Sequence, residues 1–565
     1  MAYNPQPMEL PRIVVTRWLV VTAVLLFFYL ALNSLVGDSP TMDEQNHIGR
    51  GVAFVHTGDP RLSLEHPPLV NGLSALLLRT MPLNIPFDQP SWTERQPADI
   101  YWYLFAEELL WQRGNDVAQM LFLARLPIVF MLLGLALVGF HFARQLWGGW
   151  AGLMAFYLLL LDPNLLAHGR YTTTDVGGTF FMFLATYLLW RLWHRPTWLR
   201  WGIAAVGLGL AFGSKLSILT FVPIWLLLAL LPLHNETWSG KVASYRVFQL
   251  FTAGLVSIIV VWLIFGLEWG HFLFSSEGLL FLNEWRGPMP TFWAGIEKIL
   301  LLSGGGRASF LMGQMSSEGF LLYFPVAFLV KTPLPTLLLF VLGTAVFLTQ
   351  PTHRRRAVWL LLPIVVYFAF SLTSALNIGY RHLFPMLPFI YLLISGLANY
   401  ELRITNYELR LGSVLAIVGC GWLLLNTLTI HPHHLSFFNA VGGGPTHGYN
   451  ILIDSNVDWG QDLLRLQTWL EENGETDVNL GWFGTADPAY YAIPHQPLPG
   501  FPRQPYYGLW TEPPFNTAQP EPGLYAISVS SLWESDLPQK NVYPWFRARE
   551  PDGRIGYSIL IYDLR

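Results

Sequence analysis

"RWLVVTAVLLFFYLALNSLVGDSPTMDE", Arg17 to Glu44, decides how the rest of the chain is read. Its first part, Arg17–Val36, is an apolar run of about 20 residues, the length that carries a helix across a bilayer core. Its end is polar, and two adjacent carboxylates, Asp43 and Glu44, follow within a few residues. Such a pair is either ordinary headgroup-level polarity or a pair held at the membrane face for chemistry. The remainder of the sequence has to decide.

The composition settles the class. Of 565 residues, 53% are hydrophobic and only 12% charged, against about 25% charged in an average soluble protein. This is a polytopic membrane protein rather than a domain on one anchor. Aromatics reach 15%, with 24 Trp, and Trp and Tyr gather at membrane interfaces. The single cysteine, Cys420, excludes a disulfide framework and a thiolate metal site. The polar start MAYNPQPMELPR leads into a run long enough to span, without a convincing cleavage signal, so the first span is expected to stay.

Windows of roughly 19 residues predict about eleven spans: 17–36, 120–142, 149–163, 177–192, 201–214, 217–233, 249–268, 332–350, 357–375, 383–398 and 411–430. With the N-terminus in the cytoplasm, the inner loops hold Arg12 and Arg17, Arg144, Arg191, Arg195 and Arg200, Lys241 and Arg246, Arg354 to Arg356, and Arg403 and Arg410. The short outer loops hold only Arg170, Lys215 and Arg381, so the positive-inside rule supports this orientation. Segments 37–119 and 269–331 are then long outer loops on a membrane domain, 1–430. The tail, 431–565, is also outside. It carries 15 acidic and 7 basic residues, net −8, and reads as a small α/β extracytoplasmic domain. Its expected strands are YNILID, VNLGWF, GLYAISVS and YSILIYDL, with a helix near Trp459–Glu472. A tandem repeat, NYELRIT then NYELRLG from Asn399, reads as an inserted cytoplasmic helical extension.

Charged groups near bilayer depth are costly and mark function, and here they collect on the outer side. Asp43 and Glu44 open the first loop, followed by EHPPLVNG with Glu65 and His66. The next outer loop is HGRYTTTD, with Arg170 and Asp175. Lys215 lies in a short outer turn, and NIGYRHLFPMLP sets Arg381 and His382 at the mouth of a late span. Glycosyl transfer from a lipid-linked sugar phosphate wants this set. A carboxylate takes the acceptor hydroxyl's proton, and Arg or Lys at headgroup level stabilises the charge growing on the leaving lipid phosphate.

On the DE pair, EHPPL, RYTTTD and YRHLFPMLP, taken in order, the chain resembles the protein O-mannosyltransferase and aminoarabinose-transferase group of membrane glycosyltransferases, which have the GT-C fold. The resemblance covers 1–430, and the tail from SFFNAVGGGPTHGYNILIDSNVDWGQDLLRL looks like the outer domain of the bacterial members. It implies a polyprenyl-phosphate-sugar-dependent transferase of the hexosyl- or mannosyl-transferase type, working by inversion at the plasma (inner) membrane. It implies Asp43 as catalytic base, Glu44 as helper in acceptor or sugar binding, and Asp175 as a further catalytic carboxylate. His66, Arg170 and Arg381 would line the site or meet the carrier phosphate. Lys215 and His382 join that donor set by position alone. Eukaryotic-type O-mannosyltransferases usually follow the Pro-Pro motif with Gly-Lys, where this chain has Val70-Asn71. They also carry a large sugar-binding-like insert, for which 269–331 is too short. Both departures set the chain apart from the eukaryotic type and leave lipid and glycan acceptors, and sugars other than mannose, open beside a protein acceptor and mannose.

Plainer readings stand beside these. Asp43–Glu44 suits a solvated interfacial pair, Arg381 a snorkelling side chain, and Asp175 a helix cap. Asp458, Trp459 and Gln461 suit acceptor or sugar contacts, or equally a strand-to-helix turn. GGGP at 442–445 lacks the Lys-Ser/Thr of a phosphate loop, and the acidic tail argues against nucleic acid. No cofactor is required. A divalent cation among Asp43, Glu44, His47 and Asp175 is the minority reading. Expected partners are the lipid-linked donor, a protein or glycolipid acceptor and the bilayer. A transporter or flippase would instead place ionisable groups at mid-span and show matching halves, and a scaffold would leave the outer motifs unexplained.

Overall fold

The computed structural model describes residues 10–94, 99–233, 236–305, 308–400, 402–404, 407–409, 411–499, 515–534 and 541–565. It is a mostly helical polytopic body with a small C-terminal sheet. Among the described residues, seven helices are long and apolar enough to cross a membrane, or eight when Tyr323–Lys331 and Leu334–Thr349 are joined across a 107° bend. Pro333 sits at that bend, where a helix cannot continue unbroken. The shorter apolar helices Gly149–Leu161, Trp198–Phe212 and Leu216–Leu230 stand where three more spans were expected.

Segment 37–119 is a small folded layer where it is described. Helices Glu44–Thr57, Pro68–Ala75 and Asp99–Glu107 share an apolar core of Ile48, Val52, Leu78, Trp102 and Phe105 with the start of helix Val117–Trp147. Asp116 caps that long helix, accepting from Gln119 N at 3.0 Å. Helix Glu44–Thr57 ends at Gly58, whose φ of 71° supplies the left-handed turn.

The tail holds a five-stranded mixed sheet in the order 553–555, 559–563, 524–528, 478–481, 495–497. The first three strands are antiparallel, with Leu560 opposite Ile527. Strand Val478–Gly481 runs parallel to both its neighbours, with Leu480 beside Ala526. Helix Leu463–Asn473 lays Leu463, Leu466 and Leu470 on the sheet's Val478, Leu480 and Ile561. It starts four residues later than the expected Trp459, because Asp458–Asp462 is spent on a loop. YNILID is not a strand. Gly448–Asn450 and Asp454–Asn456 are 3-10 turns, and Leu452 packs into the membrane body's core. Apolar alternation there serves docking, not a ladder. The NYELR repeat is not helical where described: Leu402–Ile404 and Tyr407–Leu409 pair antiparallel, and positions 401, 405, 406 and 410 lie outside the described residues.

Candidate active site

One cavity of about 380 Å³ gathers Asp43, His66, Asp175, Lys215, Arg381 and His382. They arrive on separate elements. Asp43 is the residue before helix Glu44–Thr57, and Asp175 lies in the first turn of Thr174–His194. Lys215 precedes the turn Leu216–Thr220, and Arg381 lies in the turn Tyr380–Met386.

Their contacts form one chain. Arg381 Nη1 donates to Asp43 Oδ2 at 2.9 Å and to Asp175 Oδ2 at 3.3 Å. Lys215 Nζ donates to Asp175 Oδ1 at 2.6 Å. Asp43 keeps 36% of its side chain exposed, against 4% for Asp175. Desolvation in the cavity pushes the Asp43 carboxyl up, but Arg381, through its charge and its hydrogen bond, and His47 together outweigh it and hold the group below the usual carboxylate range. Asp43 is therefore ionised at neutral pH, and its proton affinity depends on where Arg381 directs its charge.

Histidines form a second edge. His47 and His66 meet edge to face at 4.6 Å between centroids. His66 Nδ1 is 3.1 Å from Thr174 Oγ1, and His47 Nδ1 is 2.9 Å from Asn71 Oδ1. Burial, then Arg50, bring His47 down to about 4. Burial, then His47, hold His66 well below its ordinary value. Both are neutral at physiological pH. Glu65 lies 3.6 Å from both Arg50 and Lys298, and those two cations lie over Trp102 at 4.5 and 4.6 Å. Arg50 and Glu65 line the same cavity. Arg50 follows Asp43 by seven residues, two helical turns on the same face, a periodicity that points to it.

The same cavity is also lined by the apolar side chains of Leu216, Leu219, Ile296, Ile299, Phe324 and Phe370. Ile296 and Ile299 come from helix Pro290–Gly305 in segment 269–331. An amphipathic ligand with a charged head fits a cavity lined by both kinds of side chain.

Several expected site residues lie elsewhere. Glu44 is fully buried and does not reach the cavity. Its carboxylate accepts from Arg125 Nε and Nη2 at 2.9 and 2.7 Å, and from the backbone of Thr41 and Thr172 at 2.9 and 2.8 Å. Glu44 thus ties the DE loop to the RYTTTD loop. That saturation also removes it from the metal set, and among the described residues no group of three or more His, Cys, Asp or Glu is arranged to hold a metal ion. Arg170, expected on the phosphate, is 1% exposed and spent on Asp38 Oδ2 at 3.0 Å, His434 at 2.8 Å and the Tyr171 hydroxyl at 3.0 Å. Asp38 also pairs with Arg465 of the tail at 2.6 Å.

Asp458, Trp459 and Gln461, expected as acceptor contacts, are buried. Asp458 accepts from Ser530 N at 3.0 Å, and burial pushes its carboxyl up to about 8. Gln461 accepts from Trp459 N at 2.8 Å. The Trp459 ring lies 4.2 Å beneath the Arg381 guanidinium. None of the three is among the residues lining the cavity, and Trp459 meets it through Arg381.

Residues 114–266 match the family model described as dolichyl-phosphate-mannose-protein mannosyltransferase. That stretch includes Arg125, Arg170, Asp175 and Lys215. No curated protein matches the sequence. Among solved structures, the chain is similar to ArnT from Cupriavidus metallidurans in the apo state, with TM-score 0.49 and 13% identity over 97% of this chain and 98% of that one. ArnT bound to undecaprenyl phosphate gives TM-score 0.48 and 12% identity over the same shares, 97% and 98%. The oligosaccharyltransferase AglB from Archaeoglobus fulgidus, in complex with an inhibitory peptide and a dolichol-phosphate, gives TM-score 0.46 and 12% identity over 90% of this chain and 61% of that one.

Proposed function

We propose that the chain is an inverting glycosyltransferase that moves a sugar from a polyprenyl-phosphate donor to a hydroxyl acceptor at the outer face of the plasma (inner) membrane. The observation that carries the reading is the cavity. It holds the charged chain Asp43, Arg381, Asp175 and Lys215 together with apolar side chains such as Leu219, Ile296, Ile299 and Phe370. The family match over 114–266 supports the same reaction class.

In this reading the lipid phosphate lies against Arg381 and Lys215, and its tail lies along the apolar side chains of the lining. The acceptor oxygen attacks the anomeric carbon from the face opposite the phosphate. Asp43 takes the hydroxyl proton, the carbon–oxygen bond to phosphate breaks, and the electron pair leaves on the lipid phosphate. Arg381 and Lys215 neutralise that growing charge. A phosphate oxygen at Arg381 also draws the guanidinium from Asp43, which raises the base's proton affinity when the proton is to be taken. Asp175 holds both cations in place. A hexosyl or mannosyl group is the proposed cargo, and a protein Ser/Thr, lipid or glycan hydroxyl the acceptor.

The test is a transfer assay with purified full-length protein, wild type and Asp43→Asn, given polyprenyl-phosphate mannose, glucose and aminoarabinose in detergent with candidate acceptors. Donor loss is followed by mass spectrometry. Consumption of one donor by wild type only supports the reading, and Asp43→Asn turning over at the wild-type rate removes Asp43 as the base.

A further inference from the structure

We infer that Trp459 is the positioning residue for Arg381: the acidic tail supplies the floor on which the phosphate-binding guanidinium lies. The inference rests on the reading that Arg381 meets the donor phosphate. The guanidinium carbon sits 4.2 Å from the centroid of the Trp459 ring. Both carboxylate partners, Asp43 and Asp175, act on a single nitrogen, Nη1. Nε has no hydrogen-bond partner among the described residues. Contacts at one nitrogen fix a point and leave the plane free to tilt. The ring beneath fixes the plane. Trp presents the most attractive face to a cation, and more so out of water. Here Trp459 is 1% exposed.

The ring is itself held from several sides. Trp459 O accepts from Met42 N at 2.7 Å, one residue before Asp43. The ring packs on His168 and Tyr171, at 5.3 and 6.1 Å between centroids. Gly460, at φ 87°, turns the chain directly after it. The residues just before it grip the backbone around Arg381. Asn456 Oδ1 accepts from Tyr380 N at 2.9 Å, and Ser455 Oγ donates to Ile378 O at 2.7 Å. A Cβ at Gly379 would come 2.3 Å from Ser455 Oγ, so the two segments meet only because that position is glycine. Asn456 O is pinned in turn by Lys331 Nζ at 2.7 Å. One loop of the tail thus holds the backbone and the side chain of Arg381 together with the backbone beside Asp43.

This arrangement suits a guanidinium that exchanges partners. When the donor arrives, Nη1 gives up Asp43 for a phosphate oxygen. Attraction to a ring face does not depend on which anion sits at the cation's edge, so the stack persists through the exchange. A carboxylate in the ring's place would compete with the phosphate.

The experiment measures donor kcat/KM for wild type, Trp459→Phe, Trp459→Leu, Arg381→Gln and the double variant Trp459→Phe/Arg381→Gln. It uses full-length protein and whichever of the three donors wild type consumes. Trp459→Leu is expected to lower donor kcat/KM by about ten- to thirtyfold and Trp459→Phe by less, with the acceptor KM unchanged. Once Arg381 is Gln, Trp459→Phe is expected to cost nothing more. Equal losses from Trp459→Phe in both backgrounds, or no loss in either, overturn the inference, and this comparison decides even where Trp459→Leu does not fold. Turnover of no donor by folded wild type removes the functional reading and the inference with it. Turnover by wild type with additive losses removes the inference alone.

Discussion

Asp43 and Glu44 are neighbours in the chain, and each meets an arginine, yet the two ion pairs are opposite in kind. Glu44 is fully buried against Arg125, whose five donors all find oxygens. Nε and Nη2 take Glu44, Nη1 takes Leu35 O and Asp38 O, and Nη2 also takes Ser39 O. Asp43 is 36% exposed on a cavity, and its Arg381 engages both carboxylates through one nitrogen. The same contrast recurs five residues apart, where Arg170 is locked to Asp38 while Asp175 faces the cavity. A saturated pair holds the fold, because any new partner must displace an old one. An unsaturated pair on a cavity can exchange partners, which is what binding and proton transfer require.

The sharpest way to break this comparison is to neutralise each neighbour in turn. Asp43→Asn is expected to lower kcat by about 10²- to 10⁴-fold, the range for a lost general base, with the melting temperature little changed. Glu44→Gln is expected to act on stability, because it leaves Arg125 with an uncompensated buried charge, a loss of about 3–5 kcal/mol. Thermal denaturation in detergent reads it, and a Glu44→Gln protein that is stable but inactive would put Glu44 back among the reacting groups.

Lys215→Met probes the cavity side more gently. Its side chain is 18% exposed and its Nζ pairs with Asp175. Losing a charge-assisted contact to the phosphate is expected to lower donor kcat/KM by about ten- to a hundredfold, with little effect on melting. An unchanged donor kcat/KM would confine Lys215 to holding Asp175.

The smallest expected effect is on pH dependence. His47 is held neutral by burial and by Arg50, at about 4 against an ordinary 6.5. A folded-state value below the unfolded one contributes stability that is full above about pH 6.5 and is lost as the pH falls towards 4. Asp43, lowered by Arg381 against desolvation, adds a further loss only below the ordinary carboxylate value of about 3.9. Between pH 7 and pH 4 the melting temperature of wild type should therefore fall relative to that of His47→Gln, which keeps every other titrating group in place. Parallel curves for the two proteins would contradict the buried neutral histidine.

The polar groups the sequence placed on one side of the membrane divide in the structure between these two regions. Asp43, His66, Asp175, Lys215, Arg381 and His382 meet at the cavity. They were legible because charge beside an apolar run is costly and so draws attention wherever it occurs. Glu44, Arg170, Asp458 and Gln461 carry the same polarity in the sequence and are buried and bonded instead. Nothing local separates the groups, because the separating fact is the number of oxygens that each cation reaches, and those oxygens come from distant segments. Arg125, in the middle of an apolar stretch, was the strongest missed signal. A lone arginine there needs a buried partner, and Glu44 is 81 positions away.

What the sequence by itself determined was class and layout: a chain of apolar helices, polar groups drawn to one side, and an acidic tail with sheet-forming runs. These follow from hydrophobicity and length, which each segment carries alone. The tertiary structure decided which carboxylate faces the cavity, which is locked away, and that the tail's Trp459 lies under Arg381 rather than toward an acceptor. Those outcomes depend on distances between residues hundreds of positions apart. No local propensity encodes such distances, because they arise only when the packed helices and the docked tail settle together.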